Sequence, residues 1–97
     1  RYADALSSYD RALTIDAHYA WAWNGKGMSL FALERYAEAV QCYQQATTYA
    51  SDDPWFWYNY GEALLRLGDP DGARVRYKSA LQADPRHQAS KDRLNEL

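Results

Sequence analysis

The chain repeats a pattern of aromatic and small residues every 34 positions. Trp23 recurs as Trp57, and Gly27 recurs as Gly61. Further pairs at this spacing are Trp21/Trp55, Leu30/Leu64, Ala39/Ala73, Tyr43/Tyr77 and Ala46/Ala80, and the series reaches back to Tyr2, Ala5, Tyr9 and Ala12. A fixed period in this range indicates stacked copies of one supersecondary unit, so the repeat constrains the fold before local propensity is considered.

Segments of helical periodicity alternate with short helix breakers along the chain. Apolar residues in each segment recur at spacings of three and four, which places them on one helix face. Asp53 can cap a helix that starts near Pro54, and Gly68 can end one. The pattern predicts six helices, over 2–15, 19–33, 37–50, 55–67, 71–83 and 87–97. No segment alternates with period two for the length of a strand, so the sequence predicts an all-α fold.

Small and large residues alternate in a way that suits antiparallel helix pairs. We expect Gly27, Ala39 and their copies to lie where paired helices approach closely, because a larger side chain would force the axes apart. The rings of Trp23, Tyr43 and their copies would fill the space beside them. The repeated residues are therefore predicted to be core residues.

Composition excludes several classes of protein. The net charge of -2 disfavours nucleic acid and an anionic membrane surface as partners. No uncharged, apolar stretch is long enough to predict a transmembrane helix. The single cysteine, Cys42, cannot form an internal disulfide and favours a reducing compartment, so we expect a cytoplasmic protein.

Catalytic and metal-binding patterns are missing from the sequence. Cys42 is interpreted as a structural or merely exposed thiol, and His18 and His87 are predicted to lie in separate turns without zinc-ligand spacing. The basic stretch Arg74, Arg76 and Lys78 is interpreted as a solvated helix face, with a small anion-binding patch as the alternative. We therefore expect no enzyme activity, no metal and no cofactor.

These residues resemble the tetratricopeptide repeat, a 34-residue helix–turn–helix unit with Trp, Leu-Gly, Tyr, Ala, Tyr/Phe, Ala and Pro at fixed positions. The resemblance divides the chain into a half unit over 1–19, full units over 20–53 and 54–87, and the start of a further helix over 88–97. It implies an α-α superhelix. Three residues depart from the pattern: Lys26 at a leucine position, Glu34 at the turn glycine and Ser51 at the final proline.

The resemblance also implies a function: a scaffold that binds a peptide or partner protein in a concave groove lined by the first helix of each unit. By matching positions, the groove residues would be Trp21, Asn24, Met28, Phe31, Trp55, Tyr58, Asn59, Glu62, Arg66 and Arg93. Asn59 is a candidate clamp for a peptide backbone, or else a solvated or helix-bonded side chain. Trp21 and Trp55 either contact the adjacent unit or serve as exposed anchors for a partner.

A subset of the family grips a C-terminal carboxylate with two lysines, two asparagines and an arginine. Only Asn59 and Arg93 match this clamp, while Asn24, Met28 and Ala89 occupy the other three places. We therefore do not expect the carboxylate clamp here.

Self-assembly is the alternative function. Arg1 falls in the middle of a repeat, so we expect the chain to be part of a longer protein. The predicted first helix would leave Leu6, Tyr9 and Leu13 without a full covering partner. Stacking of ends, or exchange of a terminal helix, would cover such a face and form a homo-oligomer.

Overall fold

The computed structural model describes all residues from Arg1 to Leu97 as six α-helices joined by short turns. The helices are α1 (Tyr2–Ile15), α2 (Ala20–Ala32), α3 (Tyr36–Tyr49), α4 (Pro54–Arg66), α5 (Pro70–Ala83) and α6 (Gln88–Glu96). No strand forms, so the all-α prediction is confirmed. The helix ends lie within about one residue of those predicted. Gly or Pro marks the last three turns, whereas the first two contain neither residue.

Aspartate side chains set where α4 and α5 begin. The Asp53 carboxylate accepts a hydrogen bond from the Trp55 N–H at 2.9 Å, and Asp69 does the same for Gly72 at 2.9 Å. A proline follows each cap at the first helical position, where its missing N–H is not needed. These caps satisfy backbone donors that a helix start would otherwise leave open.

Each helix packs against the next one in the chain, and α2 also contacts α4 directly. The result is an α-α superhelix of antiparallel helix pairs with overall dimensions of 38 × 25 × 18 Å. The largest cluster of buried apolar residues joins α2, α3 and α4, and consists of Leu30, Ala39, Cys42, Tyr43, Tyr60 and Ala63. The first helix has no fully buried residue, and Leu6, Tyr9 and Leu13 are half-buried.

The close approach of paired helices is confirmed at the repeated small residues. Ala39 and Ala73 are completely buried. A Cβ atom added to Gly27 would lie 2.6 Å from Cε1 of Tyr43, and one added to Gly61 would lie 2.6 Å from Cε1 of Tyr77. The tyrosine rings therefore occupy the space that any side chain at these glycines would need.

Trp23 and Trp57 pack half-buried against this core and also fix the preceding turns. The Trp23 indole N–H donates to the carbonyl of Ala17 at 2.8 Å, and Trp57 donates to the carbonyl of Ser51 at 2.8 Å. Each indole therefore contributes both apolar packing and a hydrogen bond to a turn carbonyl.

The turns after α2 and α4 have the same backbone but different residues. The N–H of Arg35 donates to the carbonyl of Leu30 at 2.8 Å, and Asp69 donates to Leu64 at 2.9 Å. This end requires a left-handed residue, which is Gly68 in one turn (φ 80°) and Glu34 in the other (φ 60°). The departure at Glu34 is therefore a site of backbone strain.

Replacing Glu34 with glycine is expected to stabilise the fold by about 1 kcal/mol, because a residue with a Cβ is strained at this φ. Urea unfolding followed by circular dichroism measures the change. The matched control is Gly68→Ala, which introduces the same strain with no neighbouring atom in the way and is expected to cost about 1 kcal/mol. A loss of stability in Glu34→Gly, or a gain in Gly68→Ala, would contradict this account.

Candidate functional site

The predicted groove residues lie on α2, α4 and α6, and we call the surface that they form the groove. Its members are Trp21, Asn24, Met28, Phe31, Trp55, Tyr58, Asn59, Glu62, Arg66 and Arg93. The direct contact between α2 and α4 brings side chains 34 or 35 positions apart in sequence next to each other. Hydrogen bonds among these side chains determine which of their polar atoms remain available to a partner.

An asparagine pair connects α2 to α4. Nδ2 of Asn59 donates to Oδ1 of Asn24 at 3.0 Å, and Nδ2 of Asn24 donates to the sulfur of Met28 at 3.4 Å. Asn24 is only 5% exposed, so its amide acts between the helices. Asn59 is half-buried and keeps its carbonyl and one N–H for another partner.

A network around Glu62 connects α4, α5 and α6. Nε of Arg93 lies 2.6 Å from Oε1 of Glu62, and its Nη2 lies 3.0 Å from Oε2, so the ion pair is bidentate. The Tyr77 hydroxyl also donates to Oε1 of Glu62 at 2.7 Å, and Arg93 reaches Glu96 at 2.9 Å. These hydrogen bonds to Glu62 and Glu96 raise the pKa of Arg93. Glu62 and Arg93 thus largely satisfy each other's charge.

A cavity of about 200 Å³ opens between α2 and α4. It is lined by Met28, Phe31, Tyr43, Asn59, Glu62 and Arg66. The Arg66 guanidinium lies 5.2 Å from the centre of the Phe31 ring and donates to the Tyr36 hydroxyl at 3.2 Å. Arg66 forms no ion pair, so it is the cation of this cavity without a carboxylate partner. Five of the predicted site residues therefore meet in one place.

Contact with the adjacent unit is found for Trp21 but not for Trp55, and a role of either ring as an anchor for a partner stays a prediction. Trp21 packs edge-to-face on Phe56 at 5.2 Å between ring centres, and Trp55 packs on Tyr58 at 5.5 Å. They nevertheless remain 62% and 54% exposed. Neither lines the cavity, and each keeps a large exposed part of its ring.

His87 lies next to the groove, although the sequence predicted a turn position for it and not a place among the groove residues. Its ring lies 4.4 Å from the Trp55 ring and is 6% exposed. Nδ1 is 2.8 Å from the Ser90 hydroxyl at the start of α6, while Nε2 is buried without a partner. Burial lowers the pKa of His87. Its position in a turn was predicted, but the spacing of residues gave no signal of its burial.

The single cysteine, Cys42, is buried. Burial raises the pKa of the Cys42 thiol to about 11, so the thiol stays protonated at neutral pH. No group of three or more histidine, cysteine, aspartate or glutamate side chains is arranged to hold a metal ion.

None of the six helices has the length and apolar character required to cross a membrane.

Stacked antiparallel helix pairs with a groove along alternate helices define a helical-repeat domain. A family model described as tetratricopeptide repeat matches residues 1–54 and again residues 24–88. The chain belongs to the tetratricopeptide repeat family. No curated relative matches its sequence.

Several solved structures share this fold at low sequence identity. The first tetratricopeptide domain of Spaghetti (RPAP3), bound to an HSP90 peptide, superposes with a TM-score of 0.93 and 18% identity, covering 98% of this chain and 75% of that one. The second such domain of human RPAP3, in complex with an HSP70 peptide, gives 0.92 and 21%, covering 98% and 79%. The Yersinia enterocolitica secretion chaperone SycD, in complex with a YopD peptide, gives 0.92 and 19%, covering 98% and 78%.

Acidification is expected to destabilise the fold through His87. Because burial lowers its pKa, the unfolded chain binds the proton more readily, although Asp84 and Asp53 oppose this shift. The contribution of His87 to the free energy of unfolding is therefore complete above its pKa in the unfolded chain, about 6.5. It is lost as the pH falls through the lower pKa of the folded state. Urea midpoints are compared at about pH 7.5, where this contribution to the free energy of unfolding is complete, and at about pH 5, below the unfolded pKa, where it is smaller.

The variant His87→Gln should show a smaller difference between the two midpoints than the unchanged chain. The matched control is His18→Gln, since His18 is exposed in another turn and its replacement should leave the difference intact. An unchanged pH dependence in His87→Gln would refute the assignment.

Proposed function

We propose that this chain is a protein-interaction scaffold that holds an extended segment of a partner protein in the groove. The observation that carries the proposal is the cavity between α2 and α4, where an apolar floor meets polar groups with unused capacity. A concave site with apolar walls and a few polar groups is the usual form of a binding pocket. Tetratricopeptide domains of the same fold hold peptides in the Spaghetti and human RPAP3 structures, and the SycD chaperone of the same fold holds a YopD peptide.

The cavity would accept one apolar side chain of the partner. Met28 and Phe31 supply apolar contacts, and Tyr43 lies behind them. Its volume of about 200 Å³ suits a side chain rather than a folded element. Burial of such a side chain would contribute about 1.5–3 kcal/mol before the cost of ordering the partner.

Asn59 would bind the partner's backbone beside that side chain. Its free carbonyl can accept an N–H while its remaining N–H donates to a carbonyl, which fits any extended sequence. The hydrogen bond from Asn59 to Asn24 fixes the orientation of the amide in advance. Pre-organisation of this kind lowers the entropy lost on binding.

The Glu62–Arg93 pair argues against recognition of a terminal carboxylate by Arg93. The guanidinium already uses Nε and Nη2 on Glu62 and Nη1 on Glu96. An incoming carboxylate would have to displace a bidentate partner and would face the charge of Glu62. Peptides such as SRMEEVD, seen on the Spaghetti domain, are therefore expected to bind this chain poorly.

A random nine-residue peptide library displayed on phage tests the proposal for partner segments of any sequence. Peptides selected on the chain should lose about tenfold in affinity with Asn59→Ala, because a hydrogen bond in a partly buried site is lost. They should lose a similar factor with Met28→Lys, which places a charge at the cavity mouth. Isothermal titration calorimetry measures both.

Asn95→Ala is the matched control, since Asn95 is exposed on α6 outside the cavity. Circular dichroism confirms that each variant is folded before it is titrated. Selected peptides that bind all three variants with unchanged affinity would overturn the groove assignment, as would failure to select any peptide.

A further inference from the structure

A second cavity contains a guanidinium and shares no residue with the cavity of the groove. Its volume is about 310 Å³, and it lies among α3, α4, α5 and the turn at Ser51. We call it the Arg76 notch, and its lining residues are Gln44, Thr47, Thr48, Ser51, Trp57, Tyr60 and Arg76. Arg76 is the one charged residue among them.

Arg76 is held in place by aromatic rings but has no polar partner. Its guanidinium lies 4.5 Å from the centre of the Tyr60 ring and 6.0 Å from that of Trp57. The two rings are nearly parallel, with an interplanar angle of 6°. Nε of Arg76 is buried and finds no acceptor, and Arg76 forms no ion pair. Leaving a buried donor without an acceptor is unfavourable. The Nη1 and Nη2 atoms of Arg76 are not buried in this way and also form no hydrogen bond, so they are the donors that the cavity offers to a partner.

An equivalent site lies 34 residues earlier in the chain and can be compared with this notch. There Nζ of Lys26 lies 2.8 Å from Oδ1 of Asp10 and 5.8 Å from the Trp23 ring. The cation of the earlier site is therefore paired with an acid from the preceding helix. The hydrogen bond to Asp10 raises the pKa of Lys26, as expected for a stable pair.

The later site keeps the indole and the cation but lacks the acid. Asp10 is replaced by Gln44, Lys26 by Tyr60 and Cys42 by Arg76. In the earlier site the cation is Lys26, on the first helix of its unit. In the later site it is Arg76, on the second helix, and its guanidinium lies on the ring of Tyr60, which stands at the position equivalent to Lys26. The amide of Gln44 cannot neutralise it. The internal repeat thus indicates which group is missing: a carboxylate.

We propose that the Arg76 notch binds a carboxylate side chain, Asp or Glu, of a partner protein. Arginine in a fixed orientation presents parallel N–H donors that match a carboxylate. Stacking on Tyr60 supplies that orientation in advance. The rim adds no second cation, and the hydroxyl groups of Thr47 and Thr48 donate to their own helix, so a doubly charged phosphate is poorly neutralised.

The test is a nuclear magnetic resonance titration with two matched peptides, Ac-Ala-Glu-Ala-NH2 and Ac-Ala-Gln-Ala-NH2. The Arg76 Nε–H and the Trp57 indole N–H report on the notch. The glutamate peptide should shift both signals and bind about fivefold more tightly than the glutamine peptide, because its hydrogen bonds to the guanidinium are charge-assisted. Inorganic phosphate is the third probe and should bind more weakly than the glutamate peptide.

Two variants address the missing acid directly. Gln44→Glu restores the carboxylate of the earlier site and should abolish binding of the glutamate peptide by occupying Arg76 from within. Arg76→Gln should abolish it by removing the cation. Arg74→Gln is the matched control, since Arg74 is already paired with Asp71 at 2.7 Å, and should leave binding unchanged.

Equal affinity for the two peptides, tighter binding of phosphate, or binding that survives Gln44→Glu would each overturn the proposal. Binding in the groove can be tested independently of binding in the notch, because the two cavities share no lining residue. Library peptides that bind the groove should therefore bind Gln44→Glu with unchanged affinity whether or not the notch binds a carboxylate.

Discussion

The structure depends on direct contact between a tyrosine ring on one helix and a glycine on the helix before it. Tyr43 covers Gly27 and Tyr77 covers Gly61, so α2 pairs closely with α3, and α4 with α5. Completely buried alanines complete these interfaces. The spacing is fixed by atoms in contact and not by loop length, which is why the same arrangement recurs 34 residues later. That spacing in turn brings α2 beside α4 and creates the groove.

Function is expected where the two copies of the pattern differ. Met28 and Glu62 are equivalent positions, yet Met28 leaves the cavity mouth apolar while Glu62 holds Arg93 and the Tyr77 hydroxyl. On the other side of α4, loss of the acid equivalent to Asp10 leaves Arg76 unpaired. Shared residues maintain the stack, and the differences give one surface a cavity with apolar walls and the other a guanidinium without a hydrogen-bond partner.

The sequence was sufficient for the helices and the core but not for the polar contacts. The Gly27–Tyr43 contact follows from the pattern, because the small residue must lie where the paired helices approach closely and the ring must fill the space beside it. The hydrogen bonds of Glu62 to Tyr77 and Arg93 join residues 15 and 31 positions apart, and depend on how three helices rotate about their axes. Periodicity does not encode that rotation. For the same reason, interpretation of Arg76 as part of a solvated face was incomplete, because its ring contacts come from another helix.

The most direct measurement of the central claim is the free energy of unfolding of Gly61→Ala in urea. Alanine favours a helix over glycine by about 1 kcal/mol, so an uncrowded site would be stabilised by this change. Crowding against the Tyr77 ring predicts a net loss of about 1–2 kcal/mol instead. A variant more stable than the unchanged chain would show that the ring does not set the distance between the helices.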